Sequence, residues 1–279
     1  MITVPEGFGL YLGDRADEWV ASLPKLATKA CSRWQLTPDG AVMNGYCAVV
    51  LPVRRADGHP AVLKITWVGE ETENEPLALR LYDGDGVVRL LDHDEELGAL
   101  LLERLDHTRT LNHEPIETAV DVIGSLLRRH RELKAPAEIR RFEGDLDDHP
   151  AVPRRMLDAA REIGDTRSMG TTLVNEDLHY ENVLRGDREP WLMIDPKPLS
   201  GDREYCMIPL LWNRFDELDG RKGITDRFLA LCDAGELDVA KARDWTFYRA
   251  VANWIWALEE DLADLADKCA EIAGWAART

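Results

Sequence analysis

Apolar positions change their period along the chain, and the change falls near residue 106. Residues 16–31 carry helical periodicity, interrupted by Pro24. Short runs rich in Val, Leu and Ile follow at Cys47–Val53, Ala61–Trp67, Val87–Leu91 and Gly98–Leu105, and these predict strands. The first two runs are joined by a polar segment whose Asp57-Gly58 pair is a hairpin turn signal. A helix is expected over Glu75–Tyr82, stopped by Asp83-Gly84. Beyond residue 106 helical periods dominate, at Glu114–Leu133, Asp147–Ile163, Tyr205–Phe215, Ile224–Cys232 and from Val239 to near the C-terminus. One island of strand and loop, Thr171–Lys197, interrupts them. The pattern predicts an α+β chain with a small sheet-containing lobe over 1–106, a short connector at Glu103–His107 and a larger helical lobe over 107–279. Irregular segments held in a rigid helical frame are where sites concentrate, which directs attention to the island.

Composition narrows the chemistry. Lys and Arg number 34 and Asp and Glu 52 in 279 residues, a formal net charge of −18. Such a chain is ill-suited to nucleic acid or an anionic membrane surface, because both are bound through Lys and Arg. No run approaches the ~18 apolar residues of a transmembrane helix. The opening, MITVPEGFGL, lacks a basic segment followed by an apolar one, so no secretory signal is expected and a cytoplasmic location is. Five scattered cysteines form no C-x-x-C pair and read as reduced thiols. Neither H-E-x-x-H nor G-x-S-x-G occurs, which removes local support for a zinc hydrolase or a serine elbow.

Within the island, two apolar strand-like pieces, Asn182–Leu184 and Trp191–Ile194, flank a polar turn. A hairpin there brings Asn182 towards Asp195, with Asp177 on a loop five residues upstream of Asn182. Two carboxylates and an amide are hard oxygen donors of the kind Mg²⁺ takes alongside phosphates. The spacing Asp177-x-x-x-x-Asn182 is that of the H-R-D-x-x-x-x-N catalytic loop of kinases, in which the Asp accepts or orients the substrate hydroxyl. Taken alone the spacing is weak: a turn Asp, a left-handed Asn and an Asp before Pro196 form an equally ordinary set.

The first lobe shifts the balance. Lys64 is a lone cation in the apolar run Ala61–Ile65. It is either an edge-strand lysine facing water or the strand lysine that meets α- and β-phosphates and is oriented by a helix glutamate. Glu75 is the expected partner, since Leu79 and Tyr82 share its helix face, with Glu71 as fallback because Pro76 favours the first helical turn. A phosphate-covering loop would lie at Asp39–Cys47, but the segment has no G-x-G-x-x-G and reads equally well as an ordinary turn. Glu103 and Leu105 end an apolar strand, which is either an ordinary strand end or the place where kinases present backbone groups to the purine edge.

Leu63-Lys64, Glu75-x-x-Ala78-Leu79-Arg80-Leu81-Tyr82, Leu101-Leu102-Glu103-Arg104-Leu105, Asp177-Leu178-His179-x-x-Asn182-Val183-Leu184 and Ile194-Asp195-Pro196-Lys197 together resemble the aminoglycoside phosphotransferase family. The closest branch is the streptomycin 6-phosphotransferase and hydroxyurea-kinase type of actinomycetes, over about residues 34 to 220. The resemblance implies a bilobal protein-kinase-like fold, with a nucleotide-binding lobe over 1–106 and the catalytic loop and acceptor site in 107–279. It implies Asp177 as the catalytic carboxylate, Asn182 and Asp195 as Mg²⁺ ligands, Lys64 as the phosphate lysine with Glu75 as its partner, and ATP or GTP as donor. His179 stands where protein kinases carry a Lys, and it either positions the γ-phosphate or braces the loop. The acceptor implied is a hydroxyl of an antibiotic, an aminoglycoside such as streptomycin or a nucleoside of the capuramycin type.

Two positions depart from the family pattern. Asn175 stands where a His usually precedes the loop, and Cys206 where an Asp is usual. They motivate the rival reading of a kinase-like nucleotide binder with little or no catalysis; a kinase of an ordinary metabolite is the other alternative. Asp202 is expected to cap the helix starting near Arg203. Trp254, Trp256, Glu259, Glu260, Asp261 and Asp264 either line an acceptor pocket or form a solvated acidic face over core tryptophans.

Overall fold

The computed structural model describes residues 8–9, 16–167 and 169–277. Apart from Phe8 and Gly9, the opening segment read for a secretory signal lies outside the described residues. In the first of two units, formed by Met1–His107 and Arg185–Ile194, α1 (Asp17–Arg33) precedes β1 (Thr37–Pro38), β2 (Met43–Asn44), β3 (Ala48–Arg54) and β4 (Pro60–Thr66). Pro24 does not break α1. A proline removes one backbone hydrogen bond, but Leu23, Ala27 and Ala30 hold the helix by burying one face against Val49, Leu51, Val53, Leu63, Ile65 and Leu101. Each fully buried aliphatic side chain is worth about 1.5–3 kcal/mol.

β3 and β4 pair antiparallel from Ala48↔Thr66 to Arg54↔Pro60. Their turn is the one expected: Gly58 takes φ +81° and the Asp57 carboxylate accepts the His59 N–H at 3.0 Å. Then come α2 (Glu75–Tyr82), β5 (Leu90–Asp94) and β6 (Ala99–Glu103), and the sheet runs β1-β3-β4-β6-β5 with β2 on β3. The strand expected at Val87–Leu91 is displaced. Val87 and Val88 are buried in a separate bridge with Met193, so pairing with β6 starts only at Leu90.

β7 (Asp106–Thr110) carries the chain into the second unit, Thr108–Leu184 and Asp195–Thr279. There α3 (Ile116–Arg129) is followed by α4 (Arg154–Thr166), seven residues later than the expected start. Pro150 and Pro153 account for the delay, because a proline pushes the residue before it towards extended backbone. Next are β8 (Thr172–Asn175), β9 (Val183–Arg185), β10 (Trp191–Met193, within the first unit) and β11 (Pro198–Gly201). The β11 strand has no counterpart among the expected elements. It pairs antiparallel with β8, Pro198↔Asn175 to Gly201↔Thr172, and all eight residues are buried.

The helix expected over Tyr205–Phe215 is a 3₁₀ turn at Arg203–Cys206, then α5 (Met207–Trp212), ended before Arg214 at φ +59°. After α6 (Gly220–Gly235), the helical stretch expected from Val239 to near the C-terminus is two helices, α7 (Val239–Glu259) and α8 (Ala263–Ala276). Asp261 makes the break at φ +55°, in a segment with no Gly or Pro to announce it. α7 brings Trp245 and Tyr248 against Phe142, with ring centroids 5.1 and 5.0 Å away in edge geometry. α3 and α6 cross at Gly124, where a Cβ would lie 2.5 Å from the Ala234 backbone. No helix among the described residues is long and apolar enough to cross a membrane.

Candidate active site

The loop after β8 alternates. Glu176, Leu178 and Tyr180 turn inward, while Asp177 and His179 are only half-buried. The loop opens on a turn at Glu176–Asp177, and the alternation leaves two chemically useful side chains half-open. Tyr180 is the anchor: its ring is fully buried and its hydroxyl donates to the Leu210 carbonyl at 3.2 Å. Burial raises the Tyr180 phenol to about 12, so it stays protonated and keeps that bond. Glu176 forms an ion pair with Arg140, and the Arg249 guanidinium donates to the carbonyls of Glu176 (2.8 Å) and Tyr205 (3.0 Å) while stacking over the Tyr205 ring.

Asn175 ties this loop to the segment after Asp195. Its side-chain oxygen accepts two backbone N–H groups, from Asp177 and from Lys197, each at 3.0 Å. The Glu176 N–H in turn donates to the Lys197 carbonyl at 3.0 Å. The Lys197 backbone is therefore held from both sides, and its ammonium lies 3.2 Å from the Asp177 carboxylate. Lys197 was visible in the motif Asp195-Pro196-Lys197, but nothing in the spacing says that its side chain meets Asp177.

Asn182 donates its side-chain N–H to the Asp177 carbonyl at 3.3 Å, and its backbone N–H to the His179 carbonyl at 3.1 Å. With the amide nitrogen engaged, the side-chain oxygen is the group Asn182 has left to offer a cation. Asp195 takes φ +51° immediately before Pro196, a conformation that costs a non-glycine residue energy and tends to be kept where a function needs it. An amide oxygen and a carboxylate are a sparse, hard donor set, which fits Mg²⁺ completed by water and phosphate oxygens. No cluster of three or more His, Cys, Asp or Glu suited to a metal occurs among the described residues, so these residues do not form an all-protein cage. The His179 Nδ1 is buried without a hydrogen-bond partner.

Asp202 does not cap the following turn with its side chain. Its carboxylate instead accepts from Gly170 N–H (3.1 Å), Lys241 (3.2 Å) and the Trp245 indole (3.0 Å). Three donors from two other segments outcompete a local cap. Cys206 is fully buried and donates to the Arg203 carbonyl at 3.0 Å.

In the first unit, Lys64 is not an edge lysine facing water. It points inward, 2.7 Å from both carboxylate oxygens of Glu75, and both side chains are buried. Glu75 opens α2, with Pro76 tolerated in the first turn. At the end of β6, the Glu103 N–H donates to the Arg89 carbonyl at 3.0 Å, so that group is spent within the unit. Its carboxylate pairs with Arg188 at 3.1 Å, a guanidinium that also donates to the carbonyls of Gly84 and Val87. Leu105 is buried. The Asp39–Cys47 segment contains β2 and a turn closed by the Gly45 N–H on the Ala48 carbonyl, with Asp39 held by Arg104 at 2.8 Å.

At the other end of α7, Trp256 is 40% exposed and Trp254 half-buried, so these tryptophans are not core residues. Glu259, Glu260, Asp261 and Asp264 beside them are exposed.

Three comparisons bear on this geometry. The model of the aminoglycoside/hydroxyurea antibiotic resistance kinase family matches residues 33–261. Streptomycin 6-kinase of Streptomyces griseus is 37% identical over 95% of this chain and 94% of its own length, and hydroxyurea phosphotransferase of Kitasatospora aureofaciens 39% identical over 94% and 81%. Among solved structures, the choline kinase LicA of Streptococcus pneumoniae superposes with a TM-score of 0.63 at 13% identity, covering 92% of this chain and 99% of LicA. A thermostable mutant of aminoglycoside phosphotransferase APH(4)-Ia, in a ternary complex with ADP and hygromycin B, gives 0.61 at 13% identity over 90% and 99%. At such identities the structures speak for the protein-kinase-like fold.

Proposed function

The chain belongs to the aminoglycoside/hydroxyurea antibiotic resistance kinase family, and from that premise we propose that it transfers the γ-phosphoryl group of ATP or GTP, with Mg²⁺, to a hydroxyl of an antibiotic of the streptomycin type. One observation carries the reading: Asp177 stands half-open on a loop that Asn175, Tyr180 and Arg249 hold from three directions. A carboxylate fixed in that way can orient an attacking hydroxyl, and positioning is most of what phosphoryl transfer asks of a protein.

The acceptor hydroxyl hydrogen-bonds to Asp177. Its oxygen forms the new bond to the γ-phosphorus as the bond to the β–γ bridging oxygen breaks. The departing nucleoside diphosphate keeps the electron pair, and the hydroxyl proton passes to Asp177. Lys64, oriented by Glu75, neutralises phosphate charge. Asn182 and Asp195 are the residues that would hold Mg²⁺, whose charge, when it is bound, offsets that of the phosphates.

The exposed Trp256, Glu259, Glu260, Asp261 and Asp264, with the half-buried Trp254 beside them, support a cationic acceptor, since cations favour carboxylates and ring faces. The rival, a binder without catalysis, rested on Asn175 and Cys206. Asn175 holds the loop through two hydrogen bonds and Cys206 bonds within its own 3₁₀ turn, so neither position is a packing defect.

The test is phosphotransfer with streptomycin, ATP or GTP and Mg²⁺. A phosphate ester of streptomycin, formed together with nucleoside diphosphate, is the expected product. Nucleotide binding with no ester on streptomycin, hydroxyurea or a nucleoside antibiotic would overturn the reading.

A further inference from the structure

We infer that Lys197 is a catalytic cation: its ammonium, resting against Asp177, moves onto the oxygens of the phosphoryl group as that group transfers. The inference rests on the phosphotransfer reading above and deepens it.

Position is the first ground. The Lys197 N–H is accepted by the Asn175 side chain and its carbonyl accepts the Glu176 N–H, so the stem of the side chain starts from a fixed point beside the candidate catalytic loop. The ammonium lies 3.2 Å from the Asp177 carboxylate. An acceptor hydroxyl bonded to that carboxylate sits about 2.5–3.0 Å from it. The phosphorus it attacks is one bond further on, within the sweep of a four-carbon side chain.

Availability is the second. Lys197 and Asp177 are 26% and 27% exposed, so both can meet a ligand. Arg140 pairs with the Glu176 carboxylate and Arg249 holds two backbone carbonyls, so both guanidiniums brace the loop. His179 turns its Nδ1 into the interior. Among the described residues, Lys197 is the cation within ion-pair reach of Asp177.

The third ground is energetic. A part-exposed ion pair adds little to stability, so the contact is a poor structural staple. The same ammonium facing a phosphoryl group that is leaving its nucleotide stabilises charge where it develops, and interactions stronger in the transition state than in the ground state raise turnover. In the balanced step, the acceptor O–P bond forms, the P–O bond to the diphosphate breaks with its electron pair leaving on the diphosphate, and the hydroxyl proton goes to Asp177. Lys197 exchanges no proton.

The experiment compares wild type with Lys197→Met and Lys197→Arg. It measures streptomycin phosphorylation by ATP with Mg²⁺, ATP hydrolysis without acceptor, and binding of ADP alone against ADP with aluminium fluoride, a mimic of the phosphoryl in flight. Lys197→Met should lower kcat roughly 10²–10³-fold with KM for ATP within about threefold. It should bind ADP normally and ADP with aluminium fluoride on the order of 100-fold more weakly, with a nearly unchanged melting temperature. Lys197→Arg should recover part of the turnover. Wild-type-like turnover in Lys197→Met, or equal loss of ADP and ADP–aluminium fluoride binding, overturns the role of Lys197 alone. A wild-type protein that neither phosphorylates streptomycin nor hydrolyses ATP overturns the phosphotransfer reading, and the inference with it.

Discussion

The Lys64 ammonium is shared between the two carboxylate oxygens of Glu75, 2.7 Å from each, in a part of the first unit that water hardly reaches. Burying two charges is expensive, and a pair persists there because each side chain compensates the other. Removing one partner leaves the other charge stranded. Glu75→Ala should therefore cost about 3–5 kcal/mol in urea unfolding, and Lys64→Met/Glu75→Leu should recover much of it. A Glu75→Ala loss below ~1 kcal/mol would show that the charge is compensated by other groups.

Asn175 offers a separable test of the loop. Its oxygen satisfies the N–H groups of both Asp177 and Lys197. Asn175→Ala leaves two donors without their acceptor, at about 1–3 kcal/mol each, and frees the backbone beneath Asp177. Turnover should fall at least about tenfold. Asn175→Asp keeps an oxygen in place and should retain both bonds. Urea melts and kcat of the two variants, measured side by side, check this; equal kcat in both would remove Asn175 from the account.

The buried thiols set a pH dependence. Cys206, Cys232 and Cys269 are buried, and desolvation pushes each from the usual 9.0 to about 12. The folded state thus holds protons that the unfolded chain releases above pH 9. The stability these thiols contribute is fully present below that value and is lost progressively as pH rises towards about 12. Cys206→Ala should flatten the alkaline fall in unfolding free energy. In native protein at neutral pH, iodoacetamide should label Cys31 and Cys47 and spare the other three until denaturant is added. Early labelling of Cys206 would contradict the burial argument.

Helix packing gives a fourth prediction. With the Ala234 backbone 2.5 Å from where a Cβ would sit on Gly124, Gly124→Ala must push α3 away from α6. Overpacking of this kind costs about 1–3 kcal/mol, readable as a lower urea midpoint with unchanged slope. Gain of stability, as expected for a helix freed of glycine, would mean the two helices have room to separate.

Much of this architecture is legible in the residue pattern because local rules dominate there. The β3–β4 hairpin follows from two apolar runs around Asp57-Gly58, and α2 ends where Asp83-Gly84 says it must. Misjudged elements are those fixed by distant partners. Val87 and Val88 read as strand but join Met193, more than a hundred residues away. β11 is short and looks like a continuation of the loop until β8 is beside it. The α7–α8 break needs Asp261 in a left-handed conformation, which Asp tolerates better than most residues but which the unbroken helical period does not announce. At the candidate site, spacing only suggests Asp177, Asn182 and Asp195 as a set, whereas the choice of Glu75 for Lys64 is a pair that the fold makes. The supports are a different matter. Arg140, Arg249 and Lys197 reach the loop only through tertiary contact, and Asp202 looks like a helix cap but serves Gly170, Lys241 and Trp245.

The most direct test of the central claim is the rate of γ-phosphoryl transfer from ATP to streptomycin by wild type and by Asp177→Asn, with folding of both verified by circular dichroism and urea melting. The half-open position of Asp177 predicts a variant that folds and melts close to wild type and forms phosphostreptomycin at least about 10³-fold more slowly. Transfer at a wild-type rate by a folded Asp177→Asn protein would contradict the assignment of Asp177, and with it the chemistry built around this loop.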